Sequence, residues 1–363
     1  MIKNRDALVN VLGDILIDRR RLLFGLAGTG LWAQPFGEAL AQAKPPVLEK
    51  PRITIAVAGK NALFYLPLTI AEQLGFFKLE GLDVEIAEVA GVARAQQAVL
   101  AGSADVVCGW LENLVFAQKN KQFFQAFVLQ CRAPQVALGV SIKTLPDYGS
   151  VQDLRGKRVG IAAPGTPSHT VAHTVLARAG LRGDEMELVS VGTPAGALAA
   201  LRSGQIDALS YMDPWMTLLE QKNELRIVAD TRNLKGTAAV FGGAMPATCL
   251  YASQEFVEKN PKVIQALTNG VVHALSWLQT AGVSDLMRAV PEPYFAGDRA
   301  LYLSAFAKMR EAIAIDGLIP PEGAANMLSA LYAAEPTLRQ EKLALQRMYT
   351  NTFAAQARKR FRV

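Results

Sequence analysis

The segment LRSGQIDALSYMDPW (201–215) contains the pattern that decides the fold. It predicts the end of an Ala-rich helix, then a glycine, an aspartate three residues later and a short apolar strand. Gly204 suits the left-handed position that ends many helices, and Asp207 leads into the strand. A helix followed at once by such a strand is typical of β-α-β units in a parallel sheet.

The same pattern occurs earlier in the chain, in AGSADVVCGW (101–110). Sliding the sequence by 102 positions aligns Gly81 with Gly183, Glu85 with Glu187, Val89 with Val191, Ala93 with Ala195, Gly102 with Gly204 and Asp105 with Asp207. Ala and Gly match easily by chance, so the repeat rests on the order that both copies share: a strand, an Ala-rich helix, a glycine and an aspartate three residues later. It predicts two lobes built on one β-α-β-α-β plan.

Ten apolar segments are predicted strands, and Ala-rich helical segments lie between them. Their ranges are 53–58, 82–89, 104–110, 125–131, 136–142, 158–162, 185–191, 208–212, 226–230 and 247–256. The last of them follows the second series, so we expect it to return to the first sheet and leave a cleft between two lobes. The predicted class is therefore α/β, with each lobe a mostly parallel sheet flanked by helices.

The predicted order of the strands gives the expected domain boundaries. Lobe I is predicted to comprise 53–145 and 246–363, the latter including C-terminal helices, and lobe II to comprise 146–245. We expect the lobes to close by hinge motion near 143–150 and 240–247 when a ligand binds.

The composition is that of a soluble globular protein: 363 residues, 51% hydrophobic and 19% charged, which argues against disorder. The net charge of +6 is spread along the chain. Nucleic-acid binding usually requires clustered basic residues with interleaved aromatics, and only the tail ARKRFRV (357–363) comes near this. We expect a monomer that does not bind nucleic acid.

The N-terminus resembles an export signal. Arg19, Arg20 and Arg21 precede the short apolar run LLFGLAGTGLWA (22–33), and ALAQA (39–43) offers a cleavage site. The paired arginines favour a twin-arginine-like signal over residues 1–43, and a Pro-rich linker over 44–52. An ordinary buried helix is the alternative. Export with cleavage near Ala43 predicts a periplasmic protein.

Three cysteines, Cys108, Cys131 and Cys249, allow at most one disulfide. Cys108 and Cys131 could pair if their strands are close. Three small buried thiols are the favoured interpretation, because cysteine is commonly buried as a small hydrophobe. Their spacing indicates no metal site.

The segment PGTPSHTVAHTVLARAGL (164–181) predicts a helix without an acidic residue in its first turn. Free N–H groups give a helix N-terminus partial positive charge, so it can hold an anion. Gly165 would let the backbone approach a ligand, while Thr166, Ser168 and His169 would add donors. We expect Ser168→Ala and His169→Ala each to weaken binding by about 1–3 kcal/mol; a plain helix cap is the alternative for Ser168.

His169 and His173 also have the spacing of two zinc ligands on one helix face. A zinc site needs three or four ligands, and this segment has no Cys, Asp or Glu nearby. We therefore expect neither a metal nor a cofactor.

Other candidates follow strands, because open α/β sheets bind ligands beyond the carboxyl ends of their strands. Lys60 could be a solvated loop charge instead, Asp213 a helix cap and Trp215 a core residue. Several inward aromatics would indicate a ligand with an organic body as well as an acid group. The candidates are Lys60, Asn61, Phe64, Trp110, Glu112, Asn113, Met212, Asp213 and Trp215.

Together these segments resemble the nitrate/sulfonate/taurine class of ABC-transporter substrate-binding proteins. The resemblance rests on LPLTIAEQLGFFKLEGLDVEI (66–86), the G-x-x-D junction at 102–105, the 164–181 helix and the DPW ending at 213–215. It implies a type II periplasmic binding fold, no catalysis, and delivery of a small anion to an ABC permease in the inner membrane. Met212 stands where the family often has Trp or Glu, so the ligand need not be an alkanesulfonate.

Three other functions are associated with this architecture. Pyrimidine-forming proteins of thiamine synthesis are similar but need a reactive His and a Cys-rich motif in the first lobe, whereas residues 53–145 contain no His. A pyrimidine-precursor binder, or a ligand-sensing partner of a receptor, is also compatible with the sequence. Sulfonates, taurine, aromatic carboxylates and nitrate all remain open as ligands.

Overall fold

The computed structural model describes residues 47–181 and 185–363. Its strands are β1 (Arg52–Val57), β2 (Asp83–Glu88), β3 (Val106–Trp110), β4 (Phe124–Leu129), β5 (Val136–Ser141), β6 (Arg158–Ile161), β7 (Glu187–Ser190), β8 (Ala208–Met212), β9 (Leu225–Asp230) and β10 (Thr248–Ser253). The predicted signal at 1–43, the first residues of the predicted linker, and Gly183 lie outside this part of the chain.

Helices flank the sheets and form most of the C-terminal third. They are α1 (Leu66–Gln73), α2 (Phe76–Leu79), α3 (Val92–Leu100), α4 (Asn113–Lys119), α5 (Pro167–Arg178), α6 (Pro194–Ser203), α7 (Trp215–Gln221), α8 (Leu234–Phe241), α9 (Gln254–Lys259), α10 (Pro261–Thr280), α11 (Val283–Ala289), α12 (Arg299–Met309), α13 (Pro321–Ala334), α14 (Leu345–Met348) and α15 (Thr352–Phe361). Within the described residues, no helix is both long and apolar enough to cross a membrane.

The strands form two five-stranded sheets with the same plan, as the repeat predicts. The first has the order β2-β1-β3-β10-β4 and the second the order β7-β6-β8-β5-β9. In each sheet three neighbouring strands are parallel, and the fourth in order runs antiparallel to both of its neighbours. Two α/β lobes with mostly parallel sheets are therefore confirmed.

The first boundary between the lobes differs from the prediction. The strand Val136–Ser141, expected to end lobe I, hydrogen-bonds to β8 and β9 in the second sheet. The chain therefore leaves the first sheet after Leu129 and returns through β10, so the first crossing is 130–135 rather than 143–150. An apolar strand buried on both faces carries no pattern that tells which sheet it joins.

C-terminal helices pack on both lobes. α10 packs against α1, α2 and α15 beside the first sheet, whereas α12 packs against α7 and α13 against α5 in the second lobe. Lys308 on α12 pairs with Glu220 on α7, and Ser304 accepts a hydrogen bond from Gln221 at 2.9 Å. The long C-terminal segment thus holds the second lobe as well as the first.

All three cysteines are free and fully buried, Cys108 and Cys249 on strands of the first sheet and Cys131 in the crossing that follows β4. The Cys131 thiol donates to the carbonyl oxygen of Phe64 at 3.3 Å, and the Gln130 amide donates to the Cys108 sulfur at 3.1 Å. Burial raises the pKa of the Cys131 thiol to about 12. These thiols serve as packed core residues, as favoured from the sequence.

Candidate functional site

A cavity of about 490 Å3 lies between the lobes, at the carboxyl ends of their parallel strands. Its first-lobe wall includes Ala58 after β1, Gly91 after β2 and Trp110 at the end of β3. Its second-lobe wall includes Ala162 after β6 and Met212 at the end of β8. The site is therefore where the rule for open α/β sheets predicts a ligand.

The first turn of α5 forms the second-lobe end of the cavity. Pro167 at its first position has no N–H, and the backbone N–H of His169 donates to the Thr166 carbonyl oxygen at 2.9 Å. Among the described residues, the backbone N–H of Ser168 has no hydrogen-bond acceptor. The helix thus presents one free backbone donor, with the positive end of its dipole, to the cavity.

The hydroxyls of this turn are already hydrogen-bonded to one another and to the backbone. Thr166 Oγ1 donates to the carbonyl oxygen of Ala163 at 2.6 Å, so Ser168 is the donor in their 2.9 Å contact. Ser168 Oγ also accepts the N–H of Ala162 at 2.9 Å. The Ser168 side chain therefore ties the end of β6 to α5, a role that neither the anion-donor nor the helix-cap prediction includes.

Asn113 faces the cavity from the first lobe. Its Oδ1 accepts a hydrogen bond from the backbone N–H of Trp110 at 3.0 Å. This bond determines the orientation of the Asn113 side-chain amide, because only the oxygen can accept. The Asn113 Nδ2 group has no acceptor among the described residues and belongs to the cavity wall. A polar ligand can therefore meet free donors from both lobes, among them Asn113 Nδ2 in the first and the Ser168 N–H in the second.

Aromatic rings form much of the first-lobe wall. Phe64 packs edge-on against Tyr65 and Trp110, with ring centroids 4.6 and 5.2 Å away. Phe116 on α4 and Met212 on β8 add further apolar surface. Such a cavity suits a ligand with an organic body.

The structure divides the predicted site residues into two groups. Seven line the cavity: Phe64, Trp110, Asn113, Gly165, Thr166, Ser168 and Met212. Six do not: Lys60, Asn61, Glu112, His169, Asp213 and Trp215. Lys60 and Asn61 belong to the turn after β1, where Asn61 is exposed and Lys60 half-buried; the cation predicted from that loop does not reach the cavity wall.

Asp213 has a structural role. Its Oδ1 accepts the N–H of Thr217 at 2.9 Å and lies 3.3 Å from Nη1 of Arg232, whose side chain is 1% exposed. Arg232 also pairs with Asp230 and Glu220. The sequence reading missed Arg232, because a lone arginine after a strand gives no sign of being buried.

Trp215 is the other correction at this strand end. It begins α7 and packs against the apolar core of the second lobe, beside Met216 and Leu219. The core alternative named for this residue is therefore correct.

Glu112 lies behind the cavity rather than in it. It lines a small void of about 10 Å3 between the lobes, which shares Trp110 and Pro167 with the cavity. The side chain is 4% exposed, and its Oε1 has no hydrogen-bond partner among the described residues. Burial raises the pKa of Glu112 to about 7, opposed in part by a hydrogen bond from Thr170.

His169 turns back onto its own helix. Its Nδ1 accepts the Gly165 N–H at 3.2 Å, so Gly165 lines the cavity without a free N–H. Burial, and then the neighbouring His173, lowers the pKa of His169, in line with a neutral ring. The two imidazole rings lie 6.3 Å apart, and no cluster of metal-ligating side chains occurs within 47–181 and 185–363.

Several cavity residues escaped prediction. Most lie on helices after the strands, where a side chain facing the cleft has the same apolar pattern as one facing the core. Gln96 is an example: its amide donates to the carbonyl oxygen of Asn113 at 3.4 Å and to the Tyr251 hydroxyl at 3.3 Å. The missed residues include Tyr65, Val92, Gln96, Phe116, Asn120, Val136, Pro164 and Pro167.

Comparison with known proteins identifies the family. The model of the NMT1/THI5-like family matches residues 64–280, which include every described cavity-lining residue except Ala58. The chain belongs to the NMT1/THI5-like family. The resemblance found in the sequence is therefore confirmed, and the two-lobed periplasmic binding fold with it.

Several relatives and structural neighbours of this NMT1/THI5-like protein are named as binding proteins. A solved structure from Bordetella bronchiseptica RB50 is 47% identical, with a TM-score of 0.79 over 87% of this chain and 99% of that one. The bicarbonate-binding protein CmpA of a Synechococcus species is 27% identical over 58% of this chain and half of its own length. The fold also matches the periplasmic aliphatic sulphonate binding protein SsuA of Escherichia coli, at 19% identity and TM-score 0.67, over 84% of this chain and 93% of that one.

Proposed function

We propose that this protein is the solute-binding component of an ABC importer, which captures a small organic anion between its lobes and delivers it to an inner-membrane permease. The observation that carries the proposal is the cavity at the facing strand ends, with the α5 N-terminus at one end. Sequence relatives that are named for bicarbonate and aliphatic sulfonate binding support an anionic ligand.

The donors suit an acid group. The Ser168 N–H belongs to the second lobe and Asn113 Nδ2 to the first, so one acid group that meets both would hold the lobes together. Hydrogen bonds to a charged acceptor contribute about 1.5–3 kcal/mol each. Binding would then favour the closed arrangement of lobes, with the crossings at 130–135 and 242–247 as hinges.

Binding without catalysis is part of the proposal. Among the described cavity-lining residues there is no His, Cys, Lys, Asp or Glu, so the wall offers no pair of a nucleophile and a base. The pyrimidine-forming reaction of thiamine synthesis, with its reactive His and cysteines, has no matching side chains in this wall.

Purification from the periplasm tests the proposal directly. Native mass spectrometry should show a co-purifying small acid, and adding that acid back to stripped protein should lower the radius of gyration measured by small-angle X-ray scattering. Chemical turnover of the bound molecule would overturn the binding role. An unchanged scattering profile at saturating ligand would contradict closure of the lobes.

Export is tested with the same material. We propose that the mature protein lacks residues 1–43 and is a periplasmic monomer. Its intact mass should correspond to a chain that begins near Lys44, and a mass that retains Met1–Ala43 would contradict cleavage of a signal.

A further inference from the structure

We infer that the ligand is a monoanion with a flat, apolar body, such as an aromatic carboxylate or sulfonate. This rests on the proposed function and narrows its substrate class. It excludes zwitterions such as taurine and inorganic anions such as nitrate or bicarbonate as the preferred ligand.

The size of the cavity is the first support. Its volume is about 490 Å3, whereas a water molecule in the liquid takes about 30 Å3. Cavities of about 300–1,000 Å3 with apolar walls are typical of organic ligands. An inorganic anion at the α5 N-terminus would leave most of this space to water against aromatic surface.

The absence of charge in the wall is the second support. Among the described lining residues none is Lys, Arg, His, Asp or Glu. Tyr65 is the one titratable group there, and burial raises the pKa of its hydroxyl well above the usual range, so it stays neutral. An acid group of the ligand can accept hydrogen bonds from the neutral donors of the wall. An ammonium group, in contrast, would enter an apolar cavity without a countercharge.

Glu112 does not supply that countercharge. Its carboxyl lies in the separate void behind Trp110 and Pro167. An ammonium group in the cavity would be separated from it by those side chains. The wall therefore offers no countercharge to a cationic group.

The shape of the aromatic wall is the third support. Phe64, Tyr65 and Trp110 are packed edge to face, and all three are at least nine-tenths buried. Their contacts fix the ring orientations, so they form a rigid apolar surface. Flat ligands pack well on such surfaces in stacked or edge-on geometry.

Calorimetric titration of the full chain with defined acids tests the inference. The probes are benzenesulfonate, benzoate, methanesulfonate, taurine and nitrate, with benzamide as the uncharged counterpart of benzoate. We expect the better of the two aromatic acids to bind at least tenfold more tightly than methanesulfonate, and at least 100-fold more tightly than taurine, nitrate or benzamide.

A variant identifies the surface responsible. Phe116→Leu trims a half-buried ring of the wall, so it should reduce the preference for benzenesulfonate over methanesulfonate at least threefold. Phe123→Leu changes a ring that is 44% exposed just before β4, away from the cavity, and should leave the preference unchanged.

The outcomes separate this inference from the function on which it rests. Tightest binding of taurine, nitrate or benzamide would overturn the monoanion class while leaving a solute-binding protein. An equal fall in preference for both variants would overturn the role of the aromatic wall. Failure of every probe, with no small molecule co-purifying from the periplasm, would overturn the proposed function as well.

Discussion

Asp105 and Asp207 hold the same place in the two lobes, 102 residues apart. Asp105 Oδ2 accepts the backbone N–H of Thr54 in β1, and Asp207 Oδ2 accepts that of Arg158 in β6, each at 3.0 Å. In return, the N–H of each aspartate donates to the carbonyl oxygen of the same partner. The sequence repeat thus corresponds to one hydrogen-bonded junction, built twice.

Removal of this junction should destabilise the protein. Asp207→Ala leaves the Arg158 N–H without its acceptor and leaves the Arg158 guanidinium with only the Gly204 carbonyl oxygen. We therefore expect a loss of about 1–3 kcal/mol in the free energy of unfolding. Urea denaturation measures it. Asp83→Ala is the matched control, because its pair with Arg52 is exposed on both sides and should contribute about 0–1 kcal/mol. Equal losses in the two variants would contradict the role of the junction.

Arg232→Met should lower the free energy of unfolding more than Asp207→Ala or Asp83→Ala does. It leaves the buried carboxylate of Asp213 without its cation, and breaking a buried ion pair costs about 3–5 kcal/mol. The loss should appear in urea denaturation, whereas Lys259→Met in the exposed pair with Glu255 should change little. If Asp213→Ala instead lowers affinity for benzenesulfonate and leaves stability intact, Asp213 is a ligand contact after all.

Asn113→Asp tests the first-lobe donor with almost no change of shape. The new carboxylate can still accept the Trp110 N–H, so the fold should persist, but it places a negative charge where an anion is proposed to bind. Affinity for benzenesulfonate should fall about 100-fold, close to 2.7 kcal/mol. Asn223→Asp adds the same charge at an exposed turn in the second lobe. Titration calorimetry should show no effect for that control; matching losses would indicate a general charge effect.

Glu112 should make stability depend on pH. Its folded pKa of about 7 lies above the usual 4.5, so the native state binds more protons than the unfolded state between these values. The stabilisation is present below about pH 4.5 and is lost as pH rises through about 7, by about 2–4 kcal/mol in total.

The variant Glu112→Gln removes this titration while it preserves the size of the side chain. It should be more stable than the parent protein at pH 8, and its urea midpoint should change less between pH 5 and pH 8. Glu255→Gln lies at an exposed site, so its urea midpoint should change between pH 5 and pH 8 as much as that of the parent protein. If the urea midpoint changes equally with pH in Glu112→Gln and in the parent protein, Glu112 is excluded as the source of the pH dependence.

Much of the fold follows from local sequence alone. Every predicted strand range overlaps a strand of the structure, because alternation of short apolar runs and Ala-rich helices needs no knowledge of distant contacts. The repeat also indicated a common sheet plan. Trp110 and Met212 were found for the same reason: the residues that end parallel strands are visible in the sequence.

Tertiary structure decided the remainder. β5 joins the second sheet because β8 and β9 lie there to pair with it, and no feature of VALGVS (136–141) specifies that partner. Asp213 does not line the cavity; it pairs with Arg232, which lies 19 residues further along the chain. Local patterns determine which segments form strands and helices, because backbone geometry and burial periodicity are short-range. Which charges are paired and which donors stay free depends on side chains that only folding brings together.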